Sequence, residues 1–297
     1  MRERITMGFA LLILAVMIPY LGTMVLTGVV GEKAATVEEL DTGKRVALEV
    51  DGQYQTIDVE AYLRGTLPDI LKGTEDIEVW KSLAVIERTN IYKKMEGISC
   101  IDQADLDLTY LTEEQQRELW GERQYEAYAK KAERAVLETA GETLVCEGSY
   151  IDALYHRASI GSTVSAEELF GEPVSYLTAV PSTHDVESKD YMNIIILDKS
   201  QVQELKIEES TEHGYVKRVL CDGEELTGEE AQDRFQLPSL NYYIEDMGDA
   251  YRIVCLGTGH GLGVSLYGAE YMAKNGSDYK DILTYYYPGV SIQEHTE

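Results

Sequence analysis

The sequence is short of positive charge. Lys and Arg number 26 against 53 Asp and Glu, a formal net charge of −27 over 297 residues. Such a surface repels nucleic-acid phosphates, and no local basic cluster compensates, so DNA and RNA binding is excluded. Cysteine is scarce as well: Cys100, Cys146, Cys221 and Cys255 stand 46, 75 and 34 residues apart. No Cys-x-x-Cys occurs, and no His/Cys pair has zinc-finger spacing. That excludes the usual structural zinc site and a disulfide-built scaffold. One or two bridges stay open for an exported chain, because spacing does not choose partners. His156, His184, His213, His260 and His295 form no H-E-x-x-H and no close ligand pair, so no metal is expected. The series Gly257-Thr-Gly259-His260-Gly261-Leu262-Gly263 stands where a dinucleotide loop would, but Leu262 fills a glycine position of that fingerprint, and no P-loop Lys-Ser/Thr follows. Gly263-Val-Ser265-Leu-Tyr-Gly268 is one residue too long for a nucleophile elbow.

Apolar residues make up 44% and charged residues 27%, enough for a real core and against wholesale disorder. Ile5 to Val30 carry no charge, a run of 26 residues. A bilayer core needs about 20. Arg2 and Arg4 precede the run, and positive residues stay inside. The expectation is a cytoplasmic tail and uncleaved transmembrane anchor over 1–33, with one external domain over 34–297. A cleavable signal peptide is the rival. Its apolar region would span only about 7–15 residues and end at a small-x-small site, which Thr27-Gly28-Val29 matches poorly.

In the external part, Arg45–Glu49 and Tyr54–Val59 read as strands around Asp51-Gly52. Thr74 reads as the N-cap of a helix running to about Lys94, with Ile77, Trp80, Ala84 and Val85 on its buried side. Thr112-x-x-Gln115 is a capping box, and an alanine-rich helix from Tyr125 to Ala140 ends at Gly141. Thr143–Val145 and Tyr150–Tyr155 flank a turn at Glu147-Gly148. Strand-like runs recur at Tyr191–Leu197, Gly214–Leu220, Asn241–Ile244 and Tyr251–Leu256. Two helices, near Leu266–Lys274 and Tyr279–Tyr286, close the chain. No regular β-α alternation appears, so the fold class expected is α+β, mixed helices and antiparallel hairpins.

Two features invite chemistry. Lys81 and Arg88, seven residues apart, point from one helix face; the plainer reading is a solvated edge paired with Glu78 or Glu87. His260 sits among alternating glycines, which let backbone approach a ligand with amides as donors. The plainer reading there is a tight strand-to-helix turn with a packed histidine.

Five stretches, however, fall in a familiar order. They are Tyr62-Leu-Arg-Gly65 through Trp80-Lys-Ser-Leu-Ala-Val-Ile-Glu-Arg88-Thr89; Asp107-Leu-Thr-Tyr with Gln115; Ile151-Asp-Ala-Leu-Tyr-His156-Arg-Ala-Ser159-Ile-Gly161, continued by Glu168-Leu-Phe-Gly171 through Pro181; Gly257 to Ala269; and Ile282-Leu-x-Tyr-Tyr-Tyr-Pro-Gly289. Over residues 55–290 the chain resembles the family of stage II sporulation protein D and the related amidase enhancers of bacterial cell walls. That resemblance implies work on peptidoglycan: lytic cleavage of peptide-free glycan strands, without a cofactor, beside an amidase partner during engulfment. One carboxyl group suffices, since it protonates the leaving oxygen and then takes the proton of the sugar's own C6 hydroxyl.

Aligned without a gap from Gly65, the position of the family's catalytic glutamate holds Ile70, which can neither give nor take a proton. Asp69 is adjacent and is the candidate substitute, although its shorter side chain displaces the carboxyl, and a misplacement of about 1 Å can cost roughly 100-fold. Leu83 and Leu266 replace two family glutamines. Lys81, Arg88, Ser159, His260 and Tyr267 remain as substrate-binding candidates, and the zinc ligands of some relatives have no counterparts between Lys94 and Gly148. Three readings follow. The first is a membrane-anchored, glycan-binding member that has lost its acid. The others are an active transglycosylase using Asp69 or another acid such as Glu87, and a scaffold docking a wall amidase without touching glycan.

Overall fold

The computed structural model describes residues 36–50 and 52–294. Residues 5–30, on which the membrane anchor was expected, and His295 lie outside them. Among the described residues no helix is long and apolar enough to cross a membrane.

The chain opens with the hairpin β1 (Arg45–Val50) and β2 (Gln53–Asp58), paired antiparallel. Asp58 then caps α1 (Val59–Ile70), its carboxylate accepting from the Glu60 amide at 2.9 Å. Pro68 removes a donor in the last turn, and the helix stops two residues later. Next comes α2 (Ile77–Lys94), with Lys93 and Lys94 in its last turn, where the helix dipole favours cations. Its cap is Asp76, which accepts from Glu78 N at 3.0 Å, and not Thr74. The Thr74 carbonyl is taken by Trp80 Nε1 and Lys131 Nζ, which holds that residue outside the helix.

A short β3 (Cys100–Asp102) pairs parallel with the other edge of β1. The capping box opens α3 (Glu113–Trp120) as expected, and Gly121 separates it from α4 (Glu122–Glu138). β4 (Glu142–Cys146) and β5 (Ser149–Tyr150) form the expected hairpin. Glu147 and Gly148 both have positive φ, as a two-residue turn of that hand demands. β6 (Tyr155–His156) and α5 (Ala166–Phe170) precede an all but helix-free stretch: β7 (Met192–Asp198), β8 (Leu205–Ser210), β9 (Val216–Cys221), β10 (Glu224–Thr227), α6 (Gly228–Phe235), β11 (Tyr242–Asp246) and β12 (Ala250–Leu256). β13 (Val264–Ser265), α7 (Leu266–Lys274), α8 (Tyr279–Tyr286) and β14 (Ser291–Glu294) complete the chain.

The architecture is α+β with mainly antiparallel sheets. Their orders are β2-β1-β3, β10-β9-β8, β11-β12-β7 and β14-β4-β5, beside a two-stranded β13-β6. Hairpins are not the whole of it, since β1·β3 and β6·β13 are parallel and join residues far apart in sequence. Buried apolar residues form two clusters. The larger surrounds α2, and the smaller lies between the β7–β12 sheets and α6. α2 packs against α1 and α4, and also against β4, α7 and α8, so every residue from Val79 to Thr89 is buried. A helix covered on all sides carries no amphipathic stripe, and its charged residues must find partners inside.

Candidate functional site

Ile70, aligned with the expected acid, and its neighbour Asp69 sit at the end of α1. Ile70 packs half-buried against the main core. Asp69 is half-exposed and ion-paired with Lys72 at 3.1 Å. Leu83 and Leu266, at the two glutamine positions, belong to the same core. All three side chains contribute apolar packing.

Lys81 and Arg88 do share one face, as their spacing required, but that face is interior. Lys81 Nζ binds Glu78 at 2.9 Å and Glu138 at 2.6 Å and lies 5.5 Å from the centroid of the Tyr279 ring. Burial works against its charge, yet the bonds to Glu138 and Glu78 hold its acidity below that of an ordinary lysine. Arg88 has no exposed surface. Its Nε and Nη2 meet Glu60 Oε1 and Oε2 at 2.7 and 2.6 Å, and Nη1 reaches the Glu142 carbonyl at 3.1 Å. Gly141 N donates to the same Glu60 at 3.1 Å. Arg88, a substrate-binding candidate from the sequence, spends its donors tying α1, α2 and the end of α4 together.

The loops 154–159 and 257–265 are laced to each other by backbone bonds. Thr258 exchanges bonds with Ala158, Val264 N donates to Leu154 O, and Tyr267 N donates to Arg157 O. Ser159, His260 and Tyr267 are thus brought together as segments, whereas no hydrogen bond or ion pair among the described residues links Asp69, Lys81 or Arg88 to them. Ser159 is buried. Its amide donates to Asp185 at 2.6 Å and its hydroxyl accepts from Gly161 N at 3.2 Å, so this candidate too is committed to the fold.

The glycines of this region serve the same lacing. A Cβ at Gly259 would meet His156 Cβ at 2.7 Å, and one at Gly263 would meet the Leu154 carbonyl at 1.9 Å. Leu262 fixes two histidines at once. Its carbonyl accepts from His156 Nδ1 and its amide donates to His260 Nδ1, both at 3.0 Å. Burial pushes both rings down to about 4, so both are neutral at pH 7. His156 Nε2 is buried without a hydrogen-bond partner among the described residues. Tyr267, like His260, is partly exposed.

The largest chemical surprise is Glu87, one residue before Arg88 and turned the other way. It is 4% exposed, and burial pushes its carboxyl up to about 7 despite hydrogen bonds from Tyr155 and Asn90. It lines a cavity of about 260 Å³ between α2, the 106–108 loop and the 152–155 segment. A second cavity, of about 270 Å³, is walled by Tyr271, stacked on His184 at 3.5 Å, with Met272 and Tyr285. Sequence reasoning missed it because residues 181–184 and α7 meet only through the tertiary fold.

The family model described as Stage II sporulation protein matches residues 51–146. Stage II sporulation protein D of Bacillus subtilis (strain 168) is 28% identical over 260 residues, covering 81% of this chain and 76% of that protein. An uncharacterized protein of Brachyspira hyodysenteriae is 26% identical over 261 residues, 80% of this chain and 67% of the relative. The amidase enhancer of Bacillus subtilis is 22% identical over 302 residues, 78% of this chain but 40% of the enhancer.

Proposed function

Because this chain belongs to the stage II sporulation protein D family, at modest identity, we propose that it is a cell-wall protein that binds peptide-free glycan strands without cutting them. A sporulation- and cell-wall-related role comes with the family. The observation that carries the finer reading is Ile70: aligned with the family's acid, it is an apolar side chain packed half-buried against the core. Without a proton donor there, the leaving oxygen departs unassisted, which forfeits about 10²–10⁴ in rate. Leu83 and Leu266 support the same reading. Binding falls to groups that keep an open face, Tyr267 among them, and the charge-free run from Ile5 to Val30 would hold the protein at the membrane with its working part outside. The name of the amidase enhancer suggests a wall amidase as partner.

The test incubates the full chain, in detergent, with peptide-free glycan strands and looks for anhydromuramic ends by mass spectrometry. The expected result is co-sedimentation with the strands and no such ends. Ends that vanish in Asp69→Ala would overturn the loss of catalysis and make Asp69 the acid. Neither ends nor co-sedimentation would leave the protein as a docking scaffold.

A further inference from the structure

Glu87 lies at the opposite end of the α1–α2 pair from Ile70. Glu60, in the first turn of α1, pairs with Arg88, so the ends of α1 and α2 that hold Ile70 and Ile77 lie together. Ile77 and Glu87 are ten residues apart on α2, a rise of about 15 Å. The cavity at Glu87 is thus separate from the family's catalytic position. Its lining combines the apolar side chains of Ile91, Leu106, Leu108 and Leu154 with polar and charged ones, and Tyr155 stands beside the carboxyl.

The charges around it are unequally matched. Lys93 is paired with Asp152 at 2.7 Å and Lys94 with Asp107 at 3.2 Å, and Lys94 also donates to the Asp105 carbonyl at 2.8 Å. Both aspartates are therefore answered, and Glu87 makes no ion pair among the described residues; only the more distant charge of Lys94 favours its ionisation, while Asp107 opposes it. Tyr155 and Tyr287, the other titratable groups near it, are neutral phenols whose ionisation is pushed up by burial. A buried carboxyl without a counter-charge is costly to ionise, and this one faces open volume.

We infer that this cavity is a binding site for a primary alkylamine group, whose ammonium would pair with the Glu87 carboxylate while its methylenes cover Ile91, Leu106, Leu108 and Leu154. The volume, several times the roughly 30 Å³ of a water, admits a four-carbon amine. The acidic chain, net −27, draws cations toward it. The inference is independent of glycan binding.

Because the empty-site carboxyl is raised to about 7, binding must expel its proton. At pH 6 about one proton leaves per amine bound, and at pH 8 almost none. The dissociation constant should therefore be about tenfold lower at pH 8 than at pH 6, with the amine charged at both. The experiment is calorimetric titration of the full chain, in detergent, with n-butylamine in buffers of high and low ionisation enthalpy. Glu87→Gln should weaken binding and erase its pH dependence, and Leu108→Trp, which fills the cavity and spares the acid, should block it. A short peptide ending in lysine distinguishes sources: binding means the site takes an amine carried on a larger chain, and exclusion means it takes free amines. No binding of n-butylamine, equal binding of 1-butanol, or an unchanged pH profile in Glu87→Gln would overturn the inference.

Discussion

At the scale of single residues, charge inside this protein is governed by whether a partner is present. Arg88 and Glu60 are both fully buried and meet through two parallel bonds. Removing one member strands the other, so Arg88→Ala should lose about 3–5 kcal/mol in urea unfolding, whatever it does to glycan binding. Glu87 is the opposite case. Its folded value is raised from 4.5 to about 7, so the stability it contributes is fully present below pH 4.5 and is lost as pH rises through 7. Glu87→Gln should accordingly raise stability at pH 8 by roughly 2–3 kcal/mol and change little at pH 4, read from denaturant midpoints at the two pH values. His156 and His260 run the other way. Their folded values lie at about 4 against 6.5, so their contribution is complete above pH 6.5 and fades as pH falls through 4. His156→Gln should make the acid limb of the stability curve shallower.

Elements show which local signals survive packing. The Thr112 capping box and the closing helices α7 and α8 were legible, because such signals act over three or four residues and need no distant partner. The helix of Lys81 and Arg88 was legible as well, but not its burial, since a helix enclosed by six elements lacks the polar stripe that marks an outside. α1, β8, β10 and α6 were not foreseen; β8 holds only two apolar residues, Leu205 and Ile207, and α6 is eight mostly polar residues. The glycine loop carries a sharp prediction. Gly263 has φ +69° and no room for a Cβ, whereas Gly276 has φ +96° and open space around it. Gly276→Ala should cost only the backbone term, about 1 kcal/mol. Gly263→Ala must in addition push β13 away from the Leu154 carbonyl and should cost at least 2 kcal/mol more. Thermal melts of the two variants make the comparison.

For the whole molecule, a formal charge of −27 sets a self-repulsion that no single ion pair cancels. Most of the pairs present are exposed and worth little. Screening should therefore help more than it harms. Raising salt from about 0.01 to 0.15 M, which shortens the screening length from about 30 to 8 Å, should raise the melting temperature, and a fall would mean that the surface pairs dominate. The two apolar clusters place the β7–β12 region beside the family's motifs instead of within them.

The sequence alone determined the α+β class, the positions of five of the eight α-helices among the described residues and of two hairpins, and the resemblance to the sporulation family. These rest on composition, short-range periodicity and motif order, which are properties of the chain. The tertiary structure alone decided which polar residues remain available. The sequence offered Lys81 and Arg88 only near partners, Glu78 or Glu87; Lys81 does bind Glu78, yet Lys81, Arg88 and Ser159 each also find a partner 26 to 57 residues away. Glu87, offered by the sequence as a partner for the basic pair or as an alternative acid, makes no ion pair among the described residues and lies at the edge of a cavity. Spacing along a helix fixes direction, and only the packing of other elements against it fixes whether that direction leads to solvent, to a partner or to an empty site.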